Sequence, residues 1–146
     1  MRKTSYFLIL IAFFYSCTQP QPLKIFNLKN TAHQKVSFKA KAGETIDLYT
    51  VFKASYKEPF EMVYDFKLYD EYQLLLNGGV DPFECENYEY LDKKTKNDTT
   101  TLSMKGKLAG NFMLSKNGIY TIEVNIAANR KQIVNIDSLS VILVKY

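Results

Sequence analysis

Two cysteines, one histidine and one acidic, aromatic run carry most of the chemistry this chain has to offer. A cysteine nucleophile needs a base within hydrogen-bond reach. The cysteines are Cys17 and Cys85, the histidine is His33, and nothing in the spacing brings His33 to Cys85. The run DPFECENYEYLD packs Asp81, Glu84, Glu86, Glu89 and Asp92 among Phe83, Tyr88 and Tyr90. Hard cations take several oxygen ligands, so Ca²⁺ is conceivable there. The run lacks the central glycine of an EF-hand loop, and a solvated acidic loop is the simpler reading. Tyrosines are favoured at protein interfaces. Phe83, Glu84, Tyr88 and Tyr90 are therefore the candidate contact residues, with Lys93, Lys94 and Lys96 balancing the charge nearby.

Other chemistries find less support. No Gly-x-Ser-x-Gly, His-Glu-x-x-His, Walker loop or Cys-x-x-Cys occurs. Paired carboxylates for glycoside hydrolysis depend on separation in space, which the spacing does not reveal. Tyr49, Tyr69 and Tyr72 have the rings to stack on sugars, but tyrosines on strands serve packing more often. No catalytic set, cofactor or metal site is implied.

Cys17 has the more telling surroundings. Arg2 and Lys3 open the chain, Tyr6 to Phe14 is apolar, and Ser16 precedes the cysteine. This is the layout of a secretory signal peptide over residues 1–16. The apolar run is about half of the roughly 20 residues a membrane-spanning helix needs. An ordinary cleaved signal, with Cys17 near the cut by accident, is one reading. In the other, Cys17 becomes the first residue and is lipidated. Thr18 to Pro22 (TQPQP) then forms a polar, proline-bearing tether, since proline favours an extended spacer.

Phe14-Tyr15-Ser16-Cys17 resembles the lipobox of bacterial lipoproteins, with bulkier residues than usual at its first two positions. The resemblance covers the first 17 residues. It implies a diacylglyceryl-modified, N-acylated Cys17 as the membrane-lipid contact. Each buried CH₂ is worth about 0.8 kcal/mol, so three acyl chains would anchor the protein permanently. By the sorting rule of such lipoproteins, Asp after the cysteine marks the inner membrane. Thr18 is not Asp, and acidic export signals are missing after Cys17, so the resemblance implies an outer-membrane protein facing the periplasm. A lipidated Cys17 leaves Cys85 without an intrachain partner.

Composition bounds the rest. The 146 residues suffice for one domain. Net charge is +4, of which Arg2 and Lys3 supply two, and no basic stripe interleaves with aromatics. That argues against nucleic acid as a partner. Beyond Pro22, period-two alternation dominates. It predicts strands at Leu23–Leu28, around Val36/Phe38/Ala40, over Ile46–Phe52, over Met62–Leu68, over Tyr120–Ile126 and over Asp137–Tyr146. Tyr69–Leu76 reads as a helical turn or a continued strand, ended by Asn77-Gly78-Gly79. Residues 80–100 read as a long surface loop with at most a short strand at Tyr88–Leu91. Lys105-Gly106-Lys107 separates two further strands, and Asn117-Gly118 is the strongest hairpin signal. Asp98-Thr99-Thr100, in the expected loop, resembles a short bacterial O-glycosylation motif.

Seven to nine strands without a long amphipathic helix predict an all-β antiparallel sandwich over residues 23–146. The stretches VSFKAKAGETIDLYTVF and GNFMLSKNGIYTIEVNIAANRKQIVNIDSLSVILVKY resemble small β-sandwich lipoproteins. Two families share that outline: the gliding-motility lipoprotein H family and a family of uncharacterised lipoproteins. The likeness spans about half of the chain after Cys17 and transfers no functional residue. The function expected is a non-enzymatic, membrane-anchored envelope lipoprotein that binds another envelope protein. A carbohydrate- or small-ligand-binding lipoprotein is the alternative.

Overall fold

The computed structural model describes residues 20–71 and 73–146. The expected signal peptide and Cys17 lie outside the described residues, as does Tyr72. Nine strands form two antiparallel sheets, and a single 3-10 turn at Arg130–Gln132 is the only helical element among the described residues. The strands are β1 (Gln21–Asn27), β2 (His33–Ala40), β3 (Thr45–Lys57), β4 (Met62–Asp70), β5 (Leu74–Val80), β6 (Cys85–Lys96), β7 (Thr99–Met113), β8 (Gly118–Ala128) and β9 (Ile133–Lys145). One sheet runs β1-β9-β3-β7-β6 and the other β2-β8-β4-β5. The all-β sandwich expected from alternation is the architecture found.

Alternation decides which side chains meet. Successive strand residues point to opposite faces, so one face of each inner strand fills the space between the sheets. From the five-stranded sheet come Ile46, Leu48 and Phe52 of β3, Leu102, Met104 and Leu108 of β7, and Leu139, Val141 and Leu143 of β9. Tyr64, Phe66 and Leu68 of β4 and Tyr120, Ile122 and Val124 of β8 face them. One polar link crosses this core: the Thr50 and Tyr64 hydroxyls lie 3.0 Å apart. Burying a hydroxyl without a partner is costly, and this contact satisfies both. Burial pushes the Tyr64 phenol well above its ordinary range.

Several local expectations are corrected. Gln21 and Pro22, expected in the tether, belong to β1, pairing with Lys145 and Val144. Proline is tolerated there because β1 is an edge strand. Residues 80–100 do not form a loop. Most of them build the β6–β7 hairpin, closed at Asn97-Asp98, both with positive φ (48° and 60°). That is the conformation a two-residue type I′ turn demands, and Asn and Asp tolerate it. Lys105-Gly106-Lys107 lies within the unbroken β7, and Asn77-Gly78-Gly79 within β5. Asn117-Gly118 is not a hairpin turn. It ends the link from β7 in one sheet to β8 in the other, without positive φ at either residue. Asn117 Oδ1 instead accepts a hydrogen bond from the Ala42 N–H (2.9 Å), and the Tyr120 hydroxyl donates to the Lys116 carbonyl (2.8 Å). These bonds tie the crossover down.

Candidate contact surface

The expected contact residues sit where the chain crosses from β5 to β6. Asp81 Oδ1 accepts from the Phe83 N–H (2.8 Å), and the Glu84 N–H bonds back to the Asp81 carbonyl (3.2 Å). This turn swings Phe83 inward. Its ring meets Phe52 edge-on at 5.3 Å and lies 5.9 Å from Phe60, while Tyr56 and Phe60 stack at 4.5 Å. Phe83 therefore serves packing. Tyr88 is tied locally, its hydroxyl bonded to the Phe83 carbonyl. Glu84 and Tyr90 remain exposed.

β6 pairs with β7 alone and is one of the two edges of its sheet, opposite β1. From Glu86 onward every one of its residues is exposed, on both faces. Tyr90 is 45 % exposed and Leu91 55 %. Leu91 joins Tyr88 and Tyr90 as an exposed apolar side chain of the candidate surface. Sequence reasoning passed over it because alternation gives one leucine in a charged run no face. The charges of β6 are partly paired along the sheet: Lys105 to Glu89 at 2.6 Å and Lys94 to Asp92 at 2.8 Å.

Higher on the same sheet, Lys107 bridges Asp47 (3.0 Å) and Glu86 (3.4 Å). The hydrogen bond that Lys107 donates to Asp47, then the attraction of both carboxylates, raises the Lys107 ammonium above its ordinary value. The Gly110 N–H donates to Glu86 Oε1 (3.1 Å), which with Lys107 lowers the Glu86 carboxyl. The bulge in β7 opposite β3, with Gly110 at φ 88°, turns that N–H toward the carboxylate. This network holds the top of β6 against β7.

The other candidates separate. Cys85 lies on β6 and His33 on β2, in different sheets, and each has its own partners. The Cys85 thiol faces the Pro82 carbonyl at 3.7 Å, and burial pushes its ionisation up. His33 Nδ1 lies 2.6 Å from Asn125 Oδ1 and 3.5 Å from Glu123. Among the described residues, no group of three or more His, Cys, Asp or Glu side chains is placed to hold a metal ion. Tyr49 and Tyr69 lie on the outer faces of opposite sheets, so the two rings cannot line one sugar site. Tyr69 lies beneath Lys35, its ring centroid 5.3 Å from the ammonium. In Asp98-Thr99-Thr100, Thr100 is buried and its hydroxyl pairs with that of Thr95 at 3.0 Å.

Tyr49 lines a groove of about 380 Å³ with Pro20, Ile25, Val144 and Tyr146, and the Glu89–Lys105 pair stands at its rim. The Tyr49 and Tyr146 hydroxyls are 3.2 Å apart. That hydrogen bond, and then burial, pushes the Tyr49 phenol from 10.0 up to about 12. The unfolded chain ionises at the lower value, so this contribution to stability is complete below pH 10 and is lost as the pH rises through 12. In a tyrosinate absorbance titration, Tyr49→Phe is expected to remove an ionisation centred near 12. It should also flatten the loss of stability across that window. An unchanged titration would show the two hydroxyls to be uncoupled.

No helix among the described residues is long and apolar enough to cross a membrane. Comparison with known proteins finds no family model, no curated protein and no solved structure that matches the chain.

Proposed function

We propose that this chain is a lipid-anchored envelope protein that acts by contact, its sandwich binding another envelope protein rather than performing catalysis. The observation that carries the reading is β6, an edge strand with both faces in solvent that presents Tyr90 and Leu91 among three acidic residues and three lysines. Aromatic anchors amid polar residues are the composition of interface hot spots. The signal-like segment and Cys17 support the anchor. Anchor and contact are tested together in intact cells. A photo-crosslinking residue at position 93 of β6 is expected to capture one defined envelope protein, and mass spectrometry should find Cys17 acylated. Tyr90→Ala with Leu91→Ala should cut the crosslink at least about tenfold, since two hot-spot truncations cost more than ~1.4 kcal/mol together. Absence of any specific crosslink would remove the contact reading. An unacylated Cys17 would remove the anchor.

The groove at Tyr49 and Tyr146 favours a second reading, a small-ligand or carbohydrate module. Glycan-array binding abolished by Tyr146→Ala would support it and displace the first.

A further inference from the structure

β5 is the free edge of the four-stranded sheet, and it differs from the other three edges. An edge strand presents unpaired N–H and C=O groups, and proteins blunt such edges with charges, prolines and bulges. β1 carries Pro22, Lys24 and a register shift. β2 carries Lys35 and Lys39, and β6 carries six charged residues and two register shifts. β5 reads LLLNGGV, without charge or proline, and its one register shift lies at Leu75, leaving Leu76 to Val80 regular. Leu74, Leu75 and Leu76 are 51 %, 47 % and 41 % exposed.

The flank beside β5 is also open. β6 starts at Cys85, opposite Leu108, so β7 beyond that point pairs with β3 alone and its other side has no strand beside it. A cleft of about 190 Å³ remains between β5 and the end of β7, lined by Leu48, Phe66, Leu76, Gly78 and Phe112. A Cβ added at Gly78 would meet nothing within 4 Å.

The order of large and small residues names the occupant. In an antiparallel pair of two β5 strands with a two-fold axis through Asn77, Leu76 stands opposite Gly78, within the regular part of the strand that follows the register shift at Leu75. Leu76 of one copy meets Gly78 of the other on the same face, and Asn77 meets Asn77. No like charges oppose each other. We propose that β5 is an isologous interface through which two copies of this chain join edge to edge, merging their four-stranded sheets into one of eight. Leu76 of each copy covers the open space beside Gly78 of the other. A two-fold axis makes this pattern self-complementary, and backbone hydrogen bonds supply the pairing itself. The axis also reverses strand direction, so the two β1 strands, each in the five-stranded sheet of its own copy, start at opposite ends of the dimer. Both anchors reach one bilayer when the strands lie along its surface. The dimer does not depend on the proposed partner at β6 and is tested apart from it.

The test is sedimentation of the full chain in density-matched detergent, together with hydrogen–deuterium exchange. The wild type is expected to dimerise as concentration rises toward millimolar, with exchange slowing at Leu74–Val80. Asn77→Lys and Asn77→Glu each place like charges opposite one another at the axis. Each should weaken the dimer by about tenfold or more, and an equal mixture of the two should restore it. Restoration also shows that both variants fold. Gly78→Leu, with open space at its Cβ, should block the site of Leu76 and give a monomer of unchanged secondary structure. A wild type that stays monomeric, a dimer untouched by either charge variant, or protection at another strand would overturn the proposal. So would a monomer whose β5 crosslinks in cells to a different protein.

Discussion

Phe52→Ala is expected to lower the free energy of unfolding by about 3–5 kcal/mol, the range for truncating a fully buried phenylalanine. Phe52 is 1 % exposed and belongs to β3, which is paired on both sides, with β7 and β9. Its ring joins those of Tyr56, Phe60 and Phe83 at the end of the sandwich where β3 turns into β4. The packing is edge-on or offset, the geometry in which aromatic pairs add to simple burial. The site cannot collapse easily, because three of its walls are rings held by different segments. Urea unfolding followed by circular dichroism measures the effect. A loss below about 1 kcal/mol would mean that Phe83 and Phe60 move in to fill the space. Because Phe83 leads directly into β6, the substitution should also loosen the strand that carries Tyr90 and Leu91.

Gly106→Ala is expected to cost about 2–3 kcal/mol, while the same change at Gly78 stabilises by up to about 1 kcal/mol. Both glycines lie inside strands. At Gly106 an added Cβ would come within 2.8 Å of the Asn87 carbonyl oxygen and 2.8 Å of the Cys85 sulfur. The oxygen belongs to the backbone of β6, so relief requires β6 to lift from β7. At Gly78 the space is open, and alanine only narrows the unfolded ensemble. The two variants therefore separate packing from propensity. A second readout locates the damage. Cys85 is half-buried and its thiol ionises late, so site-resolved labelling at neutral pH should be slow in the wild type. If about 1.4 kcal/mol of the cost at Gly106 appears as local opening of β6, labelling quickens tenfold. Equal stability of the two variants, or unchanged labelling, would refute the close approach.

The elements read most readily from sequence are those with one wet and one dry face. In β4 and β8, and in β3 from Leu48 onward, the buried residues fall at every second position, as alternation requires; at the start of β3 Asp47 is buried as well. β9 carries apolar residues on both faces, a pattern that pointed to a central strand, and it lies between β1 and β3. The exposed edge strand β6 was far less legible. It is exposed on both faces, so its sequence carries no alternation and resembles a loop. Its strand character comes from the ladder that β7 offers and from a turn whose two residues take positive φ. Phe83 belongs to an acidic run by composition and to an aromatic cluster by position.

The chain's own order of residues determined the fold class, the inward faces of the long strands and the signal-like start, because burial period and apolar runs are local properties. Only the tertiary structure decided that Gly106 joins two strands instead of separating them, that Asn117-Gly118 links two sheets, and that β5 and β6 are left as open edges. Those outcomes depend on which strand lies beside which, and neighbours in a sheet are set by packing among residues far apart in the chain.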